Sequence, residues 1–201
     1  MQEPLEIIAG PLTAWVAPIG TAFPLITAAP AGPWTMVGAN GDRNYSDDGV
    51  SVMHSQTIQK VRPAGTVGAV KAFRTEEDLT LTLTLWDLTL EAYTLALNGA
   101  TVSATAAGVG TAGFKKLGLS RGEDVKTYAL LVRGTKSAYG ATYAAQYEVP
   151  RCYQSANPNP AYRKGVPAGL QLVFDALEYG AATSADERFG RLIMQHQAPL
   201  A

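Results

Sequence analysis

Leucine and threonine alternate without interruption from residue 79 to residue 85, inside the longer segment 75–99, TEEDLTLTLTLWDLTLEAYTLALNG. Successive side chains of a strand point to opposite faces, so the four leucines share one face and Thr80, Thr82 and Thr84 share the other. Threonine is β-branched and suits a pleated backbone, yet its hydroxyl tolerates water. The pattern therefore predicts a strand in a sheet that has one buried face and one face open to water.

A helix is predicted directly after this strand, at about residues 88–97. Asp87 is the expected N-cap, because its carboxylate can accept a hydrogen bond from a free backbone N–H. Asn98-Gly99 is a typical C-terminal stop. Apolar residues cover most of the circumference, so we expect the helix to be buried on more than one side, with a second cover such as a partner subunit. The residues expected to pack together in the core and under the helix are Leu81, Leu83, Leu85, Leu88, Tyr93 and Leu95.

Glycine and proline divide the rest of the chain into short segments, which is typical of an all-β domain. Strands are predicted at residues 12–18, 34–37, 50–61, 66–73, 113–119, 125–133, 141–152, 170–179 and 190–196. A turn at residues 62–65 joins two of them as a hairpin. Residues 100–112 and two long segments, 38–49 and 153–168, are predicted to be loops. The predicted fold is mainly β: one domain, residues 1–201, forming an antiparallel β-sandwich or barrel with one flanking α-helix.

The charge balance argues against a nucleic-acid-binding surface. The formal net charge is −1 and only 16% of the residues are charged, so the sequence has no basic excess that would hold phosphates. Residues 1–10 lack the basic and apolar regions of a signal peptide, and no apolar run approaches the ~20 residues of a membrane-spanning helix. We therefore expect an intracellular protein without a membrane partner.

The sequence contains no recognisable catalytic or metal-binding pattern. Cys152 is the only cysteine, so it has neither an intramolecular disulfide partner nor a CxxC pair for zinc. His54 and His196 lie in different predicted strands, without ligands at metal spacing. A GxGxxG match begins at Gly108, but a strand follows it where the dinucleotide fingerprint requires a helix. We expect no catalytic residue, no cofactor and no metal, and we do not expect an enzyme.

Segment 75–99 resembles the tail tube, or major tail, proteins of long-tailed bacteriophages. In that family an alternating strand leads through a D-[LM]-[TS]-x-E-like step into a helix that ends in Asn-Gly. Four residues match this step: Asp87, Leu88, Thr89 and Glu91. Residues 10–18, GPLTAWVAP, are similar to the family's opening strand, and Trp34 with Gly38 is similar to its W-x-x-x-G segment. The resemblance covers roughly residues 10–100.

The resemblance implies a structural virion protein that assembles with itself. Six copies would form a ring, and stacked rings would form a tube that conducts duplex DNA to the host without binding it specifically. Further partners would be other tail proteins, namely the tape measure, terminator and baseplate, and the location would be the virion tail after assembly in the host cytoplasm. Thr80, Thr82 and Thr84 would line the channel or the adjoining barrel face, and residues 1–10 would form an arm. The residues expected in ring-to-ring loops are Asn40, Asp42, Arg43, Asp47 and Asp48.

Three alternatives stay open at this point. The chain is also compatible with a tail terminator or baseplate component, and with a secretion-system tube protein of the same fold. From another class, a carbohydrate-binding β-sandwich module would suit the strands and the scattered aromatic residues. That module would not need a helix that is apolar all round, and it would usually be exported.

Overall fold

The computed structural model describes residues 8, 10–38, 44–140 and 142–196. This part of the chain contains ten strands, one α-helix and one 3-10 turn. The strands are β1 Thr13–Ala17, β2 Thr35–Met36, β3 Tyr45–Val61, β4 Lys71–Leu85, β5 Val102–Thr105, β6 Phe114–Leu117, β7 Thr127–Gly134, β8 Ala145–Gln154, β9 Leu170–Ala176 and β10 Arg191–Met194. The helix α1, Leu90–Ala96, follows β4, and the 3-10 turn, Ala185–Glu187, precedes β10. The predicted fold, mainly β with one flanking helix, is confirmed.

Eight of the strands form one antiparallel sheet. Its order is β2-β1-β7-β8-β9-β4-β3, and β10 pairs with β8 outside that path. β8 is therefore shared between two neighbours on one side: its residues 145–148 pair with β10, and its residues 152–154 pair with β9. The strands β5 and β6 form a separate hairpin. The sheet path ends at the short strand β2 on one side and at the long strand β3 on the other.

A single large hydrophobic cluster lies on the inner face of this sheet. It combines side chains from β1 and β7 with side chains from β4 and β9, although these strands lie far apart in the sheet order. The sheet therefore folds back over itself, as in a β-sandwich. Tyr45, at the start of β3, ties the two ends together: its hydroxyl accepts a hydrogen bond from the Ala14 N–H at 3.1 Å and donates to the Val37 carbonyl at 2.7 Å.

The leucine face and the threonine face of β4 are oriented as the alternation predicts. All four leucines are buried in the core cluster, whereas Thr80, Thr82 and Thr84 are only half-buried on the opposite face. Hydrophobic burial of the leucine face drives this orientation, because slipping the strand by one residue would expose every leucine.

The hairpin of β3 and β4 is longer than the sequence predicts. β3 begins at Tyr45, so the predicted loop 38–49 is wrong for residues 45–49. Asn44 and Gly49 have positive φ values of 41° and 64°, which allow a bulge while Tyr45 still pairs with Leu85. β4 joins residues 71–73 of the predicted strand 66–73 to the predicted strand 79–85, because no glycine or proline lies between them. The prediction is wrong for residues 66–70, which are not in a strand.

The helix is shorter than predicted, and Asp87 is not its N-cap. Thr89 has extended dihedral angles, φ −67° and ψ 156°, and its hydroxyl accepts a hydrogen bond from the Ala92 N–H at 3.2 Å. The helical conformation begins only after Thr89, so its side chain, rather than that of Asp87, reaches a free backbone donor. The Asn98-Gly99 stop is confirmed, since both residues have positive φ.

The helix packs into the core mainly through two alanines, whereas the prediction names its large side chains. Ala92 and Ala96 are buried in the core cluster with Leu81, Leu83 and Leu85, whereas the side chains that are only partly buried are Leu88, Tyr93 and Leu95. The segment 155–169 supplies part of the second cover. Its Tyr162 hydroxyl lies 3.4 Å from that of Tyr93, and burial together with this contact raises the pKa of Tyr93 to about 12.

Two of the remaining loop predictions need correction. Residues 100–112 contain β5. Its small side chains, such as those of Ser103 and Ala104, give no alternating pattern that would predict a strand. The predicted loop 153–168 begins later, because β8 extends through Gln154. Beyond that residue, segment 155–169 has no strand or helix, apart from an isolated bridge between Arg163 and Val166. Asn40, Asp42, Arg43 and most of residues 1–10 lie outside the described residues.

Candidate assembly surfaces

The threonine face of β4 continues across the neighbouring strands as one polar surface. In the register of the sheet, Thr80 lies opposite Asp175 and Thr84 opposite Gln171, while Asp175 also lies opposite Tyr153 of β8. The Thr80 hydroxyl donates to the Asp175 carboxylate at 2.8 Å. This surface, here named the open face, consists of Ser51, Thr80, Thr82, Thr84, Tyr153, Gln171, Val173 and Asp175. It spans the four adjacent strands β8, β9, β4 and β3, and the exposed Arg151 lies beside it on β8, two residues before Tyr153.

The same side of the sheet is covered where it passes over β1 and β7. The segment 18–34 folds across these strands, and the buried Trp34 packs on Ala129 and Leu131. The Trp34 indole N–H donates to the Ala22 carbonyl at 3.0 Å, and its ring lies 5.1 Å from that of Phe23. The cover stops short of β9 and β4, so most side chains of the open face are only half-buried in the single subunit.

A buried polar network fastens this cover to the sheet. Glu148 is only 2% exposed; it accepts a hydrogen bond from Arg191 Nε at 2.7 Å and another from Gln146. Arg133 binds the Gln146 side-chain oxygen and carbonyl groups of the segment 18–34. The bond to Glu148 raises the pKa of Arg191, and burial lowers that of Arg133. Every member of the network has a partner, so it holds structure in place and leaves no group free for chemistry.

The strands β3 and β4 extend beyond the rest of the sheet as a two-stranded ribbon. β9 pairs with β4 only as far as Thr80, whereas β3 stays paired with β4 as far as the pair Val61 and Lys71. Every side chain from Met53 to Asp78 is exposed, and this segment is here named the ribbon. An isolated two-stranded hairpin is marginally stable in water. The ribbon is therefore a candidate surface for contact with another chain.

A bulge in the ribbon changes which residues share a face. Thr57 pairs with Glu76 and Ile58 with Arg74, so Thr75 is an extra residue on β4. Because one extra residue reverses the alternation, Phe73 lies on the ribbon face that continues the open face, rather than on the leucine face.

The end of the ribbon, residues 58–73, is basic and is here named the ribbon tip. It contains Lys60, Arg62 and Lys71 and no acidic residue. Among the residues that the structure describes, none of these three cations forms an ion pair. Apolar side chains are exposed beside them, most completely Val67, which is 99% exposed. The ribbon tip therefore presents both positive charge and apolar surface to its surroundings.

A groove of about 730 Å³ lies at the opposite end of the same hairpin. This root groove is lined by residues that include Leu12, Asp47, Asp48, Val50 and Trp86, and no lysine or arginine is among the described residues that line it. Residues 46–49 bulge out between the pairs Tyr45–Leu85 and Val50–Leu83, which leaves the side chains of Asp47 and Asp48 exposed. Trp86 is 45% exposed at the end of β4.

The ionisable residues singled out as catalytic candidates do not form a site. Cys152 is fully buried, its thiol donates to the Tyr128 carbonyl, and burial raises its pKa well above the usual range. His54 lies on the ribbon, whereas His196 lies beside Tyr139. Within the described ranges, no group of three His, Cys, Asp or Glu side chains is placed to hold a metal. No helix in that part of the chain is long and apolar enough to cross a bilayer.

Of the predicted ring-to-ring residues, the structure describes Asp47 and Asp48, whereas Asn40, Asp42 and Arg43 lie outside the described residues. Asp47 and Asp48 lie side by side in the root groove, on a strand rather than in a loop. The predicted hairpin with its turn at residues 62–65 is confirmed, but its full length is not predicted, because the sequence pattern divides β4 into two strands. The signal that points to it is the absence of glycine and proline between Lys71 and Leu85.

The comparisons with known proteins leave these surfaces as the main guide to function. A scan against protein-family models finds no match, and a search of curated proteins finds no significant similarity.

Proposed function

We propose that this protein is the self-assembling subunit of a long-tailed bacteriophage tail tube, in which six copies form a ring and rings stack around a channel for DNA. The observation that carries the proposal is the ribbon, a long paired hairpin whose side chains are all exposed to solvent in the part of the chain that the structure describes. Such an element gains stability only when another chain covers it. The resemblance of segment 75–99 to tail tube proteins supports the same conclusion.

The free ends of the sheet support ring formation. Among the described residues, no strand pairs with the outer edge of β3 or with that of β2 at the other end of the sheet path. Unpaired edges readily pair with strands of another chain. A contact between β3 of one copy and a different part of the next copy's surface is a head-to-tail contact. A contact of this kind closes into a ring when its rotation permits.

The open face suits the wall of a channel. If each of six subunits contributes the four strands that carry this face, the barrel has about 24 strands. At roughly 4.8 Å spacing and a tilt near 40°, its backbone diameter is on the order of 50 Å, which admits duplex DNA. The side chains of the open face carry hydroxyl, amide and carboxylate groups and no positive charge, so they do not retain phosphates and DNA passes without being held by them.

Light scattering coupled to size-exclusion chromatography tests the proposal. The expected mass is about 127 kDa for a ring of six chains of 21.2 kDa, with larger species as the concentration rises. Rings that never stack would instead favour a terminator or baseplate component of the same fold. A monomer at every concentration up to the millimolar range would contradict all of these assignments.

A further inference from the structure

We propose that the basic ribbon tip of one copy binds the acidic root groove of a second copy of this chain. The inference rests on the proposed function, because it assigns the contact between successive rings. It identifies both partners of that contact by residue: Lys60, Arg62 and Lys71 on the tip, and Asp47 and Asp48 in the groove.

The charges of the two surfaces are complementary, and within the subunit Lys71 Nζ lies 4.8 Å from the centre of the Phe73 ring. The tip has three cations and no acidic residue, and the described residues that line the groove include two exposed carboxylates and no lysine or arginine. Among the described residues, neither set takes part in an ion pair. Opposite potentials of this kind steer association and fix its register.

The shapes and the apolar surfaces are also complementary. A groove of about 730 Å³ accommodates several side chains, and Leu12, Val50 and Trp86 give it apolar walls for Val67 and Phe73 of the tip. The exposed Trp86 ring offers a face to a lysine or arginine side chain. The Ser46 hydroxyl oxygen, at the groove, is buried without a hydrogen-bond partner among the described residues, so an incoming polar group can satisfy it.

The position of the two surfaces determines what the contact builds. Between Asp48 and Val61, β3 spans roughly 40 Å at about 3.3 Å per residue, so a subunit cannot place its own tip in its own groove. Each copy therefore offers a tip at one end and a groove at the other. When successive copies are related by a translation along the hairpin, as in stacked rings, such a head-to-tail contact propagates as a filament. The axial repeat of that filament is at most roughly 40 Å.

Charge reversal on the full-length protein tests the contact. The tip variant is Lys60→Glu with Arg62→Glu, the root variant is Asp47→Lys with Asp48→Lys, and the quadruple variant combines them. Lys136→Glu with Lys164→Glu, which changes two exposed cations elsewhere, is the matched control. The readout is the protein concentration at which filaments sediment, with thermal unfolding monitored by circular dichroism to confirm that each variant is folded.

We expect the tip variant and the root variant each to form filaments only at a protein concentration at least about tenfold above that of the wild type, because attractive charge pairs become repulsive. The quadruple variant, and a mixture of the tip and root variants, should recover assembly, and the control should match the wild type. The neutral pair Asp47→Asn with Asp48→Asn should give an intermediate loss, which covers the case of a root variant that fails to fold.

Three results would overturn the inference while leaving the proposed function intact. The first is assembly of both the tip variant and the root variant at the wild-type concentration. The second is loss of assembly in both variants without recovery in a folded quadruple variant. The third is loss of assembly in the root variant alone. The last result would assign the groove to a different occupant. Failure of the wild-type chain itself to assemble would instead contradict the proposed function.

Discussion

The hydroxyl of Thr89 satisfies the Ala92 N–H, one of the four free backbone donors at the start of α1. Thr89→Ala removes the acceptor and is expected to lower the free energy of unfolding by about 1 kcal/mol. Asp87→Ala is the control: one Asp87 carboxylate oxygen is buried without a partner among the described residues, so its removal should cost less. Urea unfolding of dilute protein measures both values, and a larger loss for Asp87→Ala would contradict the assignment of the cap.

Burial keeps the thiol of Cys152 protonated and inaccessible. Since only the thiolate is a good nucleophile, the raised pKa predicts that the native protein does not react with a thiol-specific disulfide reagent at pH 8. In urea the same residue should react fully, which provides the control within one chain. Rapid reaction of the native protein would show that β8 opens at this position.

The two ends of α1 show which capping residues can be identified from the sequence alone. The segment Asp87-Leu88-Thr89 contains two good N-cap residues, and composition alone does not distinguish them. The choice depends on where the backbone leaves β4 and turns, which long-range packing decides. The Asn98-Gly99 stop was predictable, because both residues adopt a conformation with positive φ more readily than others.

At the level of elements, the two faces of β4 should respond differently to truncation. Leu83→Ala leaves a cavity in the core and is expected to lower the free energy of unfolding by about 2–5 kcal/mol. Thr82→Ala, on the next residue of the same strand, should cost less than about 1 kcal/mol. Chemical denaturation of both variants as monomers provides the comparison. Equal losses would mean that the threonine face is part of the core.

Strands were predictable where burial imposes a period of two, as in β4 and β9. β5 escaped prediction because its side chains are small and mostly exposed, so no pattern marks it. The ribbon and the root groove depend on the pairing of β3 with β4 over their whole length. Such pairing is a long-range property that local periodicity does not reveal.

At the scale of the whole molecule, opposite charges at the two ends of one hairpin predict assembly that weakens with salt. The Debye length falls from about 10 Å at 0.1 M to about 3 Å at 1 M, so exposed charge pairs are largely screened at the higher value. The protein concentration needed for filaments should therefore rise between these salt concentrations. The root variant Asp47→Asn with Asp48→Asn should depend less on salt. Filament formation that salt leaves unchanged would contradict an electrostatic contact.

The central claim is that this chain builds a hollow tube with the open face as its inner wall. A cryo-electron microscopy reconstruction of the assembled wild-type protein tests it most directly. We predict stacked rings roughly 100 Å wide, since the ring wall adds ~10 Å layers of sheet packing outside the barrel, with Thr80, Thr82 and Thr84 facing an empty channel. An assembly without a central channel, or one with these threonines on its outer surface, would contradict the account.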